Sequence, residues 1–360
     1  MSITLECKPD WPSVRARWTA YWDRQATDRP CLDVIAPLGV DAGPAPQTQS
    51  PEQLWFDPDF VAQSYLHFVN SMYFGGEAVP AGPTLLGGWC FGCGPHVLLK
   101  MNTIYHRPFL TDIRRPLEWD PGPACPWRMK MEKVIRRLIE VGRGKFLVGY
   151  PTILPVNDLL MLFRGNEDFL MDLATDEAGC LAKMHEMLPR WAALVDDFRA
   201  LIDPAQEGFA LGWPGFWSPR FVAQTQSDMS CMISGDLFDR YVMTELDFLG
   251  KRYERVWYHL DGPQAVRHLP KLLSRPYMKV IQYVPGSGNP DNGPRYLELY
   301  RTVQAAGRGL DLYTTPANVE FLIRHLRPEG LLLRLGMPSP EQADELIRNA
   351  VKWCGSHIQA

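Results

Sequence analysis

The sequence is short of the features that would send it to nucleic acid or to a membrane. It has 37 Lys and Arg against 41 Asp and Glu, a formal net charge of -4, and no sustained basic block. A nucleic-acid partner is therefore not expected, because affinity for phosphate backbones is built on clustered positive charge. No run of about 18 apolar residues occurs, and the N-terminal MSITLECKPDWPSVRARW lacks a charged segment followed by an apolar one. The expectation is a cytoplasmic protein with no membrane contact. No repeat at a solenoid or propeller period is visible, and no Gly-rich loop of Rossmann or P-loop spacing follows any apolar run. That weakens a doubly wound nucleotide-binding fold. The eight cysteines are scattered over 360 residues, unlike a disulfide framework, and read as small buried hydrophobes.

What is present is ordinary globular composition, 46% hydrophobic and 22% charged, with strands and helices in alternation. The C-terminal half shows it most clearly. VWYHLD (256–261), MKVIQYV (278–284), GLDLYT (309–314) and GLLLRLG (330–336) are short β-type runs, each followed by a helical pattern that opens at Pro263, Pro294, Pro316 or Pro340. Such units with short connections require parallel strands. CLDVIAP (31–37), KFLVGYP (145–151) and GFALGWP (208–214) add strands upstream, with helices near 52–71, 127–141, 166–199 and 234–253. The segment 72–126 is rich in Gly, Pro and aromatics and holds no clean strand pattern, so it reads as a long loop over the mouth.

Five stretches carry a resemblance: RWTAYWDRQATDRPCLDVIAP, YFGGEAVP, FLVGYPTILPVNDLLMLFRGNEDFLMDL, QSDMSCMISGDLFDRYV and YHLDGPQAVRHLPKLLSRPYMKVIQYVPGSG. In order and spacing they resemble the uroporphyrinogen decarboxylase superfamily, which also includes corrinoid and coenzyme M methyltransferases. The resemblance implies one domain over 1–360: a single (β/α)₈ TIM barrel spanning about 31–353, an N-terminal helical extension, and an active site at the C-terminal ends of the strands.

The chain departs from both well-defined branches of that superfamily. True porphyrinogen decarboxylases carry an Arg-rich loop of the form R-x-P-x-W-x-M-R-Q-A-G-R, where this chain has Arg17 to Ala26, whose aromatic spacing reads as an amphipathic helix. The thiol methyltransferases carry His-x-Cys and a distal Cys on zinc. Here the corresponding residues are His259-Leu260-Asp261 and Met337. The resemblance thus implies metal-assisted methyl transfer linked to corrinoid or thiol chemistry, with a divalent metal such as zinc on His259 and Asp261. A corrinoid protein is an expected partner, and a homodimer is compatible with it. Two alternatives stay open: a cofactor-free decarboxylase of a tetrapyrrole-like or other carboxylate substrate, and a non-catalytic corrinoid- or tetrapyrrole-binding barrel.

Residues i and i+2 of a strand share a face, so His259 and Asp261 should face the mouth together, as metal ligands or as an acid/base pair. The competing reading is a buried His with an Asp capping the next helix. Asp228 in QSDMS is the third catalytic candidate, since the matching segment in relatives places an acid in the cleft. Expected substrate-binding residues are Glu77 after Gly75-Gly76, Tyr150, Trp213 and Trp217 at strand ends, and Gln282, a polar residue inside an apolar run. Asp311 shares that anomaly. Arg164, Arg220 and Arg267 could hold substrate carboxylates. Cys90-Phe91-Gly92-Cys93 with His96 is a lone C-x-x-C with no second pair, read as packing rather than as a metal or redox site.

Overall fold

The computed structural model describes residues 4–91, 94–213 and 215–355. Strands are numbered along the chain: β1 Cys31–Pro37, β2 Met72–Gly76, β3 Ala81–Gly82, β4 Val97–Leu99, β5 Ile104–His106, β6 Leu147–Val148, β7 Phe209–Leu211, β8 Phe216–Ser218, β9 Ala223–Gln226, β10 Val256–Asp261, β11 Met278–Val284, β12 Gly309–Tyr313 and β13 Leu331–Gly336. The main sheet has seven strands in the order β2-β1-β13-β12-β11-β10-β9. All of its ladders are parallel except β1 with β2.

The apolar runs of the C-terminal half become β10 to β13 almost residue for residue. Their outward faces, such as Val256, Tyr258 and Leu260, pack under the helices in one core, while Trp257, Val280 and Leu332 join a second core that includes the N-terminal helix. Proline in the first turn starts the helices Pro126–Gly142 and Pro316–His325, where its missing N–H costs no intrahelical bond. The helix Trp11–Asp23 covers the end of the sheet where the strands begin: Trp18 donates to the Glu77 carbonyl, Trp22 to that of Trp217 and Tyr21 to that of Leu310.

One expectation needs correction. The segment 72–126 is not strand-free, for it holds β2, β3 and the hairpin of β4 and β5. β3, β4 and β5, of two or three residues, carry too little alternation to show in a sequence, and β2 ends on two glycines. The arrangement is mixed α/β with a large parallel sheet, but the hydrogen-bonded ladders do not complete a ring of eight. β3 pairs with β6, and Tyr150 bridges to Leu211 of β7, yet among the described residues no ladder joins β1 to β3 or β7 to β9. On one side, β2 folds back antiparallel and occupies the edge of β1 that a parallel neighbour would need. On the other, the β7–β8 hairpin interrupts the approach to β9.

Candidate functional site

Register places two rows of polar side chains on the inner face of the sheet. In parallel strands residues in register share a face, so Gln226, His259, Gln282 and Asp311 form one row across β9 to β12. Tyr313, Arg334 and Asp33 form the next, across β12, β13 and β1.

In the second row the hydrogen bonds centre on Arg334, which is 2% exposed. Its Nε donates to Asp311 Oδ1 at 2.7 Å and its Nη2 to Asp311 Oδ2 at 3.2 Å. Nη1 reaches Asp33 Oδ2 and, at 2.6 Å, the Gly215 carbonyl. Burial opposes the guanidinium charge, but Asp311 and Asp33 outweigh it and push the group's pKa up. Asp33 lies differently. Burial lifts its carboxyl from 3.8 to about 6, Arg334 pulls it down, and Asp311 and Glu77 push it up. Trp257 Nε1 donates to Asp311 Oδ2 at 3.1 Å and ties this row to β10.

Above Asp33 and Arg334 opens a cavity of about 560 Å³. Its lining draws on β1 and on Ala81 of β3 alike, so it occupies the gap that no ladder bridges. Tyr65, Phe68 and Phe74 form one wall and Tyr313 stands opposite in sequence, on β12. A volume of this order suits a small ligand, for which a few hundred to about 1,000 Å³ is usual.

The first row carries the expected catalytic candidates. His259 is half-buried, and its Nδ1 lies 2.6 Å from Gln282 Oε1. The Trp213 ring meets the imidazole edge-on at 5.3 Å. Gln226 Nε2 donates to Asp228 Oδ1 at 2.8 Å and to Asp158 Oδ2 at 3.0 Å, and the Asp228 N–H donates to Asp158 Oδ1 at 2.9 Å. Desolvation raises the Asp228 carboxyl, the charge of His259 lowers it and that of Asp261 raises it, so these three groups lie within electrostatic reach of one another. Asp158, buried on the helix Val156–Arg164, is pushed well up, first by burial and then by Asp228. Glu245 fixes the start of that helix by accepting the N–H groups of Val156 and Asn157 at 2.7 and 2.8 Å.

Other candidates are engaged elsewhere. Glu77 is 1% exposed, paired in bidentate fashion with Arg29 at 2.6 and 2.9 Å, and accepts the Leu32 N–H. Tyr150 bonds to Asp203 with its ring against Phe209 and Phe221, and Trp217 donates to the Glu207 carbonyl at 2.7 Å against Trp11. The structure therefore keeps Glu77, Tyr150 and Trp217 away from the mouth cavity, because strand-end position alone does not decide which face a ring takes. Arg164 pairs with Asp168 and Asp172, and Arg267 caps the carbonyls of Cys231 and Ile233. Trp213 and Gln282 do meet His259. Cys93 lies outside the described residues; the seven described cysteines are free thiols, and Cys90 is buried with its pKa pushed up by desolvation.

Among the described residues no group of three or more His, Cys, Asp or Glu side chains is arranged to hold a metal. His259 and Asp261 would be the ligands of the expected zinc, yet a stable site wants at least three protein donors. The donor set does not fit one. Sequence reasoning missed Asp33, Arg334 and Asp158. The first two carry the signal that singled out Gln282 and Asp311, a polar residue inside an apolar run.

No helix among the described residues is long and apolar enough to cross a membrane. No family model and no curated protein matches the chain. Among solved structures, a methyltransferase from Methanosarcina mazei superposes with a TM-score of 0.59 over 94% of this chain and 98% of that one, at 10% sequence identity. At that identity the likeness is one of fold.

Proposed function

We propose that the chain is a small-molecule enzyme of the methyl-transfer type, in which His259 removes a proton from the methyl acceptor. The observation that supports this reading is the His259–Gln282 contact beside two carboxylates at the strand ends. With Gln282 Oε1 facing Nδ1, the ring carries its proton there and leaves Nε2 as the base. An acceptor thiol or hydroxyl would give its proton to Nε2 as its sulfur or oxygen bonds to the methyl carbon, while the donor departs with the electron pair of the broken bond. Asp228 and Asp261 would stabilise the imidazolium. The fold likeness to a methyltransferase adds support, and the superfamily resemblance suggests a corrinoid as methyl donor, delivered by a corrinoid protein. Residues 31–353 would act as one (β/α)₈ barrel, with the cavity wall standing where β1 and β3 share no ladder.

The test is demethylation of methylcobalamin in the presence of a thiol, followed by loss of the methyl–cobalt absorbance. A protein-dependent rate that falls by roughly 100-fold or more in His259→Ala is expected. No protein-dependent demethylation, or full activity in that variant, contradicts the reading.

A second reading, cofactor-free decarboxylation, is favoured by Asp33. A carboxyl lifted to about 6 can deliver a proton to the carbon that carbon dioxide leaves. Release of labelled carbon dioxide from a carboxylate panel, dependent on Asp33 and indifferent to methyl donors, would select it.

A further inference from the structure

We propose that the cavity over β1 and β13 binds an organic cation, a protonated or quaternary amine on a small apolar frame. The inference rests on the mouth being a small-molecule site, and it is independent of which reaction takes place there.

Charge is the first argument. Asp33 and Arg334 are the charged residues that line the cavity among the described residues. Arg334 is already committed, with Nε and Nη2 on Asp311 and Nη1 on Asp33 and the Gly215 carbonyl. It has little left to offer a substrate carboxylate. Two carboxylates surround this one guanidinium, and Asp311 is sealed beneath while Asp33 reaches the lining, 15% exposed. With both acids ionised, the floor carries a surplus negative charge. An anionic substrate would meet Asp33 with no free cation to offset it.

The wall is the second argument. Tyr65 and Phe68 stack at 5.8 Å, and Phe68 and Phe74 meet edge to face at 6.2 Å, giving a continuous surface of three rings. Phe68 is 39% and Tyr313 43% exposed, so two of the molecule's exposed large aromatics stand at this one cavity. Aromatic faces attract cations through the ring quadrupole, and several rings around a carboxylate suit an ammonium with methyl or alkyl substituents. Neutral apolar ligands would gain the rings but nothing from Asp33.

Asp33 adds a pH dependence with a definite sign. Burial pushes its carboxyl up to about 6, against the pull of Arg334 and with the added push of Asp311 and Glu77. The ionised form is the one that attracts a cation, so affinity for a permanently charged ammonium should fall about tenfold from pH 7 to pH 5, following the ionised fraction.

Calorimetric titration of the full chain with benzyltrimethylammonium, and with choline against its neutral isostere 3,3-dimethylbutanol, tests the proposal. Benzyltrimethylammonium should bind, choline should bind at least tenfold more tightly than the isostere, and benzoate should give no heat. Phe68→Ala should weaken the ammonium at least fivefold while the circular dichroism spectrum stays the same, and Asp33→Asn should abolish the pH dependence. Equal affinity for choline and the isostere, preference for benzoate, or ammonium binding indifferent to both Phe68→Ala and Asp33→Asn would overturn it. Failure of the methylcobalamin assay would leave these results untouched.

Discussion

The two halves of the mouth use polar residues in opposite ways. Around β12, β13 and β1, Arg334 is held by Asp311, Asp33 and a backbone carbonyl, and the cavity opens directly above. Around β9 to β11, His259 holds a single polar partner, Gln282, beside the exposed Asp228 and Asp261. A buried charge with nearly all its N–H groups bonded is a fixed part of the fold. A half-buried imidazole with one nitrogen committed is free to exchange a proton with something else. On the reading proposed above, one half would hold the ligand and the other would transfer the proton. The loop between β7 and β8 touches both, because Gly215 accepts from Arg334 while Trp213 lies on His259.

The largest expected effect breaks the Arg334 half. Arg334→Met leaves Asp33 and Asp311 without their counter-ion, and should cost about 3 to 5 kcal/mol in urea unfolding. His259→Ala removes no comparable bond, so it should change unfolding by less than about 1 kcal/mol while turnover falls by about 10² to 10⁴. Equal stability losses in the two variants would erase the distinction.

The comparison sharpens with pH. Asp33 has a folded pKa raised to about 6 from 3.8, so its proton stabilises the fold fully below the unfolded value, and that contribution is lost as pH rises through about 6. The effect is on the order of 3 kcal/mol at most. Asp33→Asn should remove this slope between pH 4 and 6; an unchanged slope would mean another group titrates there. A smaller effect is expected from Gln282→Leu, which frees His259 to change tautomer and should lower turnover roughly tenfold with a displaced pH profile.

How far the sequence goes is clear from particular elements. β10, β11 and β1 were legible to the residue, because four or more alternating or β-branched positions leave a pattern. β6 lies inside KFLVGYP, a run that reads as a longer strand, whereas β3, two residues long, left no pattern, and the antiparallel return of β2 depends on contacts with β1 that no local pattern announces. Strand periodicity puts His259 and Asp261 on one face, and Gln282 stands out as a polar residue inside an apolar run. Glu77 looked like a loop acid beside two glycines, yet its carboxylate is sealed against Arg29, a pairing across 48 residues that composition cannot show. Asp33 and Arg334 stood in the open as charges within CLDVIAP and GLLLRLG, and only register brings them together.

The most direct test of the division between the halves is calorimetric titration of benzyltrimethylammonium into His259→Ala, with Asp33→Asn measured alongside. Wild-type affinity in His259→Ala and at least a tenfold loss in Asp33→Asn at pH 7 are expected. Lost binding in His259→Ala with the fold intact, and full binding in Asp33→Asn, would place the ligand on the His259 side and contradict the account.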